Sequence, residues 1–265
     1  MVSTMKKIIN DHLDKLEKKE RKILNSKKNM LDEKLEPFME KVESKVPENV
    51  KSTLNAAFCK SFQLVFKNGT KYIEKLYNKV KIQSEHNMND FKLNTSVNRK
   101  TLKKLDKHAE KASIINSSIS VIEGAGLGFL GMGLPDIPLF TAMILKTIYE
   151  ISLSYGFVYD LDDEKIYILN IICASLSKGE KQRILNERVD EISAKIDNHI
   201  LLDNKLEEEI SRASKILSDS MLASKFVQGI PVVGAVGSFT NYKIINKISK
   251  YSTIKYKKRY LNNKK

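Results

Sequence analysis

The 265-residue chain has no tryptophan, two cysteines and five prolines. Scarce proline leaves room for long helices, which the abundant Lys, Leu, Ile and Glu favour. Cys59 and Cys173 sit inside apolar helical patterns without CxxC spacing. They read as buried free thiols of a reducing compartment and exclude a disulfide framework. His12, His86, His108 and His199 are scattered, with no HExxH and no Cys/His cluster, so no zinc site is expected. No GxSxG elbow and no GxxxxGK[ST] loop occurs, which removes the commonest signatures of an α/β-hydrolase or a P-loop nucleotide site. The N-terminus runs into Asp11, Asp14 and Glu17 without an apolar core. The expectation is no secretory signal and a cytosolic address.

Negative charge is also short, with 46 Lys and Arg against 32 Asp and Glu, a net charge of +14. The excess is uneven: residues 1–112 sum to +11, 113–180 to −5, 181–240 to −1 and 241–265 to +9. The last segment contains no acid. Basic ends around an apolar, faintly acidic middle suit an anionic surface, either phospholipid or nucleic acid. A set of solvated lysine faces would give the same count.

Apolar residues recur at helical spacing along most of the chain. Residues 5–35 read as one charged helix, a solvated one in preference to a coiled-coil or docking arm. Pro47 opens a second helix carrying Val50, Leu54, Phe58, Phe62 and Val65 as far as Gly69. A shorter amphipathic segment covers Tyr72 to Val80, and the polar, Asn-rich residues 83–98 read as a loop. A further helix starts at Thr101. Asp136 is placed to cap a helix from Ile137 to about Ser154, with Gly156 ending it. Asp160 or Asp162 is expected to cap the next helix, about 163–177. Two charged amphipathic helices follow at about 180–200 and 203–224, then one from about Val232 to Leu261. No strand is easily placed. The fold class expected is all-α, a single multi-helix domain at 47–262 with Gly-rich apolar connections and a charged helical arm at 1–46.

Glycine concentrates in two apolar patches. Gly124, Gly126, Gly128, Gly131 and Gly133 precede Pro135-Asp136-Ile-Pro138, and Gly229, Pro231, Gly234 and Gly237 form the second. Glycine costs backbone entropy in regular structure, so such clustering points to close backbone packing, lipid insertion or a phosphate cradle. The stretch Gly126 to Gly131 matches G-x-G-x-x-G. A dinucleotide fingerprint also needs an unbroken helix and further βαβ units, and Pro135 and Pro138 interrupt that helix. Asp136 reads as a cap before a functional carboxylate. Asp160, Asp162, Asp163 and Glu164 resemble a cation loop but lack its glycine and twelfth-position Glu, which leaves them as helix-start acids. The uncharged run Phe226–Tyr242, at 17 residues, reads as a core helix before a membrane span.

Several blocks together resemble the EcsC family of bacterial proteins: Glu123-Gly-Ala-Gly-Leu-Gly, Leu134-Pro-Asp-Ile-Pro, Tyr155-Gly-Phe, Ile230-Pro-Val-Val-Gly-Ala-Val-Gly, Asn241-Tyr and Lys258-Arg-Tyr-Leu261. Their order and spacing match from about residue 47 to 262, leaving the N-terminal arm outside. That family is named for a protein encoded beside the subunits of an ABC transporter. The resemblance implies a bacterial accessory protein, cytoplasmic or peripheral on the inner face of the membrane. It brings no catalytic residue, cofactor or metal. The expected partner is an anionic membrane or a membrane protein, met by Lys243, Lys247, Lys250, Tyr251, Lys255, Lys257, Lys258 and Arg259. Structural roles fall to the glycines and prolines of the two patches, to Asp136 and to Gly156. Nucleic-acid binding through the basic ends, and a small-ligand or enzyme site at 124–138, are the alternatives.

Overall fold

A computed structural model of the chain describes residues 2–25, 46–95, 101–104, 106, 136–227 and 237–265. The described elements are helices α1 (Val2–Leu24), α2 (Glu48–Leu64), a π-helical turn (Val65–Gly69), α3 (Thr70–Glu74), α4 (Lys79–Thr95), α5 (Asp136–Ser154), α6 (Asp162–Leu176), α7 (Gly179–Asp197), α8 (Leu206–Val227) and α9 (Gly237–Asn262). No strand occurs among the described residues, in keeping with the all-α expectation.

The core forms around α5 and α6, the most apolar helices. On α5 the stripe Ile137, Phe140, Ile144, Ile148 and Ile151 is buried as its spacing predicts, and it packs against α2, α4 and α9. Pro138 lies in the first turn of α5, where a missing N–H costs nothing. The chain leaves α5 through Gly156, at φ +84°. Its N–H donates to the Leu153 carbonyl, and the Phe157 N–H reaches back to Ser152. This is the left-handed stop that glycine tolerates best. A Cβ at Gly156 would also collide with the His86 imidazole. Gly156→Ala is therefore expected to cost at least about 1–2 kcal/mol from the backbone alone, read as a lowered urea midpoint. An unchanged midpoint would contradict this account.

Helix α6 is surrounded by α7, α8 and α9, and every residue from Ile166 to Ser175 is buried. The expected aspartate cap is absent. Leu161 occupies the N-cap position with no side-chain bond, and Asp162, Asp163 and Glu164 fill the first turn. They act there through the helix dipole, and Asp162 also bridges to Lys165 at 2.8 Å. Cys173 is buried in this helix and Cys59 partly buried in α2, both free. Burial pushes the Cys173 thiol up to about 12, which removes it from thiolate chemistry.

Two stretches differ from the sequence expectation. The first is the proposed loop at 83–98, most of which belongs to α4. Its local pattern is weak because long-range contacts hold it. Leu93 is fully buried, His86 donates Nδ1–H to the Ser154 carbonyl at 3.0 Å, and Asp90 accepts from Tyr260 of α9 at 2.6 Å. The second is α1, expected to be solvated. It buries Ile9, Leu13 and Leu16 and packs against α9 and α7.

Gly124, Gly126, Gly128, Gly131, Gly133, Gly229, Pro231 and Gly234 lie outside the described residues, as do the side chain of Asp136 and most of the run Phe226–Tyr242. Gly237 opens α9. Among the described residues one helical stretch, Ile137–Ser154, is long and apolar enough to cross a membrane. It is 78% buried within the fold, as a core helix would be.

Candidate functional site: the basic C-terminal helix and a lysine-bearing face

The residues expected to meet a partner lie on α9, and the fold divides them. Lys243, Lys247 and Lys250, on the first half, are exposed. The second half enters the interior and finds acids on other elements. Lys255, 1% exposed, is bonded to Glu20 of α1 and, at 2.7 Å, to Asp190 of α7. Lys258 joins the same Glu20 at 2.5 Å. Arg259 reaches Glu164 of α6 and Asp197 of α7, each at 2.8 Å, with its guanidinium over the Phe157 ring at 4.3 Å. Lys257 pairs with Asp106 at 2.6 Å, and Lys264 with Asp90 at 2.8 Å.

The tyrosines turn inward with these cations. Tyr251 donates to Asn186 at 2.7 Å and Tyr256 to Glu164 at 2.9 Å. Tyr251, Lys255, Lys257 and Arg259 are therefore buried and Lys258 only partly exposed, where the expectation was a wet basic face. The reason is electrostatic. A charge can leave water only if it is paired, and acids from α1, α6 and α7, together with Asp106, supply the pairs. Burial opposes ionisation of Glu20, but Lys255 and Lys258 outweigh it and hold the carboxyl below its ordinary value. Burial likewise opposes the charge on Lys258, and Glu20 with Asp190 lifts it above the ordinary value.

A second internal network was not visible in the sequence. Glu209 of α8, its side chain 2% exposed, is bonded to Arg188 of α7 and Arg212 at 2.8 Å. Asn170 of α6 and Asn204 donate to it at 3.0 and 2.9 Å. The run Glu207-Glu208-Glu209 looks like ordinary helix-start acids, and only the tertiary fold distinguishes its third member. No group of three His, Cys, Asp or Glu side chains placed to hold a metal occurs among the described residues.

The outer surface of α3 and α4 has a different character. Lys71, Lys75, Lys81 and Lys92 are exposed there, whereas Glu74, Glu85 and Asp90 are all partly buried. Glu74 turns inward, accepting from Tyr159 at 2.7 Å and pairing with Lys79 at 2.6 Å. Among the lysines stand exposed apolar side chains: Tyr72 at 50%, Val80 at 72%, Met88 at 52% and Phe91 at 68%. Val80, Ser84, Met88 and Phe91 share one strip of α4 by helical spacing, with Lys81 and Lys92 along its edge. Lys71, Lys75, Leu76 and Val80 line one open hollow, which connects the two helices' surfaces.

Fold and surfaces together define an all-α bundle with an ion-paired interior and a positive, partly apolar outer face. The chain belongs to the EcsC protein family, whose model matches residues 10–261. The match begins within α1, so it extends further toward the N-terminus than the blocks from residue 47 onward. Comparison with curated proteins and with solved structures returns no match.

Proposed function

We propose that this protein is a non-catalytic accessory factor that works at the inner face of a bacterial membrane, bound peripherally to anionic phospholipid. The observation that carries this reading is the α3–α4 surface, where exposed lysines stand among exposed apolar side chains with no exposed acid within residues 70–95, and where the exposed acid paired to this segment, Asp160, is engaged by Lys79 at 3.8 Å. Opposite charge brings such a surface to a phosphate-rich plane, and apolar groups gain from the acyl boundary beneath it. Further positive charge is available on α1, where Lys6, Lys7, Lys15, Lys18, Lys19, Arg21 and Lys22 are exposed, and at Lys243, Lys247 and Lys250 of α9. An ABC-transporter subunit on the same membrane is the protein partner that the family resemblance suggests.

Nucleic acid would use the lysines but gains little from Val80 and Met88, since phosphate-tracking grooves favour aromatic stacking over aliphatic contact. Co-sedimentation separates the two. The full-length chain should pellet with phosphatidylglycerol vesicles and remain in solution with phosphatidylcholine vesicles. Binding should weaken as salt rises and survive a DNA competitor. Equal recovery with both lipids would overturn the membrane reading, and loss of the pellet to DNA would favour the nucleic-acid reading.

A further inference from the structure

Resting on the membrane reading, we infer that the outer face of α3–α4 is the docking surface for an anionic bilayer. The strip Val80, Met88 and Phe91 enters the headgroup–acyl boundary, with Lys71, Lys75, Lys81 and Lys92 at phosphate level. Neither the charge excess nor the basic α9 singles out this location.

The distribution of exposed apolar residues carries the choice. The chain exposes nine large hydrophobic side chains among the described residues: Tyr72, Val80, Met88, Phe91, Val158, Leu161, Ile184, Ile200 and Leu201. Val158 and Leu161 stand beside exposed Asp160 and Asp162, Ile184 lies among exposed Glu180, Lys181, Arg183 and Glu187, and Ile200 and Leu201 precede exposed Asp203 and Lys205. Among the described residues, the α3–α4 group alone has lysines and no acid as its exposed charged neighbours along the chain. An anionic plane is repelled at Val158 and Leu161, gains no net attraction from the mixed charges at Ile184, Ile200 and Leu201, and is attracted here.

The helix carrying the strip is also held in place before any lipid arrives. Leu93 is buried at its C-terminal end, and Tyr260 of α9 and Lys264 just beyond it bond to Asp90 on its inner side. His86 is bonded to the end of α5. From Val80 to Phe91 the strip runs roughly 16 Å along the axis, which suits a helix lying in the plane of the interface. A face already fixed by the core loses little conformational freedom on docking.

The absence of tryptophan gives a clean test. Phe91→Trp places a single indole on the strip, at a position exposed enough to leave the fold intact, and Met88→Trp provides a second version. With phosphatidylglycerol vesicles the emission of either should shift to the blue and be quenched by brominated acyl chains. The indole of an Ile184→Trp control on α7 should keep its aqueous emission. Replacing Lys71, Lys75, Lys81 and Lys92 with Gln should weaken binding by about fivefold per lysine, with melting unchanged.

If the full-length protein co-sediments but neither strip indole is quenched, the docking face is elsewhere while the membrane reading stands. If nothing co-sediments, both fall. A blue shift produced by DNA and not by vesicles would instead assign the face to nucleic acid.

Discussion

Arg259→Ala is expected to be among the most damaging single substitutions in the described fold, costing about 3–5 kcal/mol in urea denaturation. Arg259 and Glu164 have side chains only 4% and 5% exposed, and removing the guanidinium leaves a carboxylate in the core. Tyr256 would be its remaining hydrogen-bond donor. Burial already lifts the Glu164 carboxyl above its ordinary value in spite of Arg259, so without Arg259 it should rise further. A carboxyl raised in the folded state favours folding while it is protonated, and that contribution disappears as pH rises through the folded value. The deficit of Arg259→Ala relative to wild type should therefore be larger at neutral pH than in acid. Adding Glu164→Gln to Arg259→Ala should recover part of the loss, with a coupling of about 0.5–3 kcal/mol. Additive losses with no pH dependence would mean that the pair is not the source of the effect.

Glu20→Gln should cost about 3 kcal/mol, since Lys255 is almost fully buried and would keep only the half-exposed Asp190. The sign of its pH dependence is opposite. The Glu20 carboxyl is depressed in the folded state, so its contribution is complete above its ordinary value of 4.5 and is lost as pH falls through the lower folded value. The wild type should lose stability in acid more steeply than Glu20→Gln, and the two curves should converge at low pH. Parallel curves would show that Glu20 is not held by the lysines of α9.

These two pairs also mark where the sequence ceases to be legible. Helix positions followed from apolar spacing, and the stripe on α5 with its stop at Gly156 was readable residue by residue. The same approach failed for α4, whose anchors Asp90 and His86 bond to Tyr260 and Ser154 far along the chain. A polar residue announces a long-range partner no differently from an exposed one.

The tail failed for the same reason. Lys255 and Arg259 look like solvated cations until Glu20, Glu164, Asp190 and Asp197 are brought beside them. In α1 the buried residues Ile9, Leu13 and Leu16 kept a helical spacing, but the surrounding Lys and Glu runs hid how much of that face is used. The docking strip has a related cause. Val80, Met88 and Phe91 fall at helical spacing, but the polar, Asn-rich composition from Gln83 onward predicts a loop, which hides the exposed strip.

The pairing of α9 with distant acids has a consequence for the order in which the protein is assembled. Glu20 and Lys255 are 235 positions apart, and Asp90 and Lys264 are 174 apart. At roughly 5–20 residues per second, Glu20 leaves the ribosome roughly 10–50 s before its partner. Throughout that interval the earlier helices can begin to collapse, but Glu20 and Glu164 among them lack the cations of α9 that pair with them in the fold. Closure of the ionic interior must therefore be a late event, made after α9 has emerged and slowed by the long loops it joins. Until then the nascent chain displays carboxylates and the apolar faces around them, a state in which a holding chaperone would find its substrate.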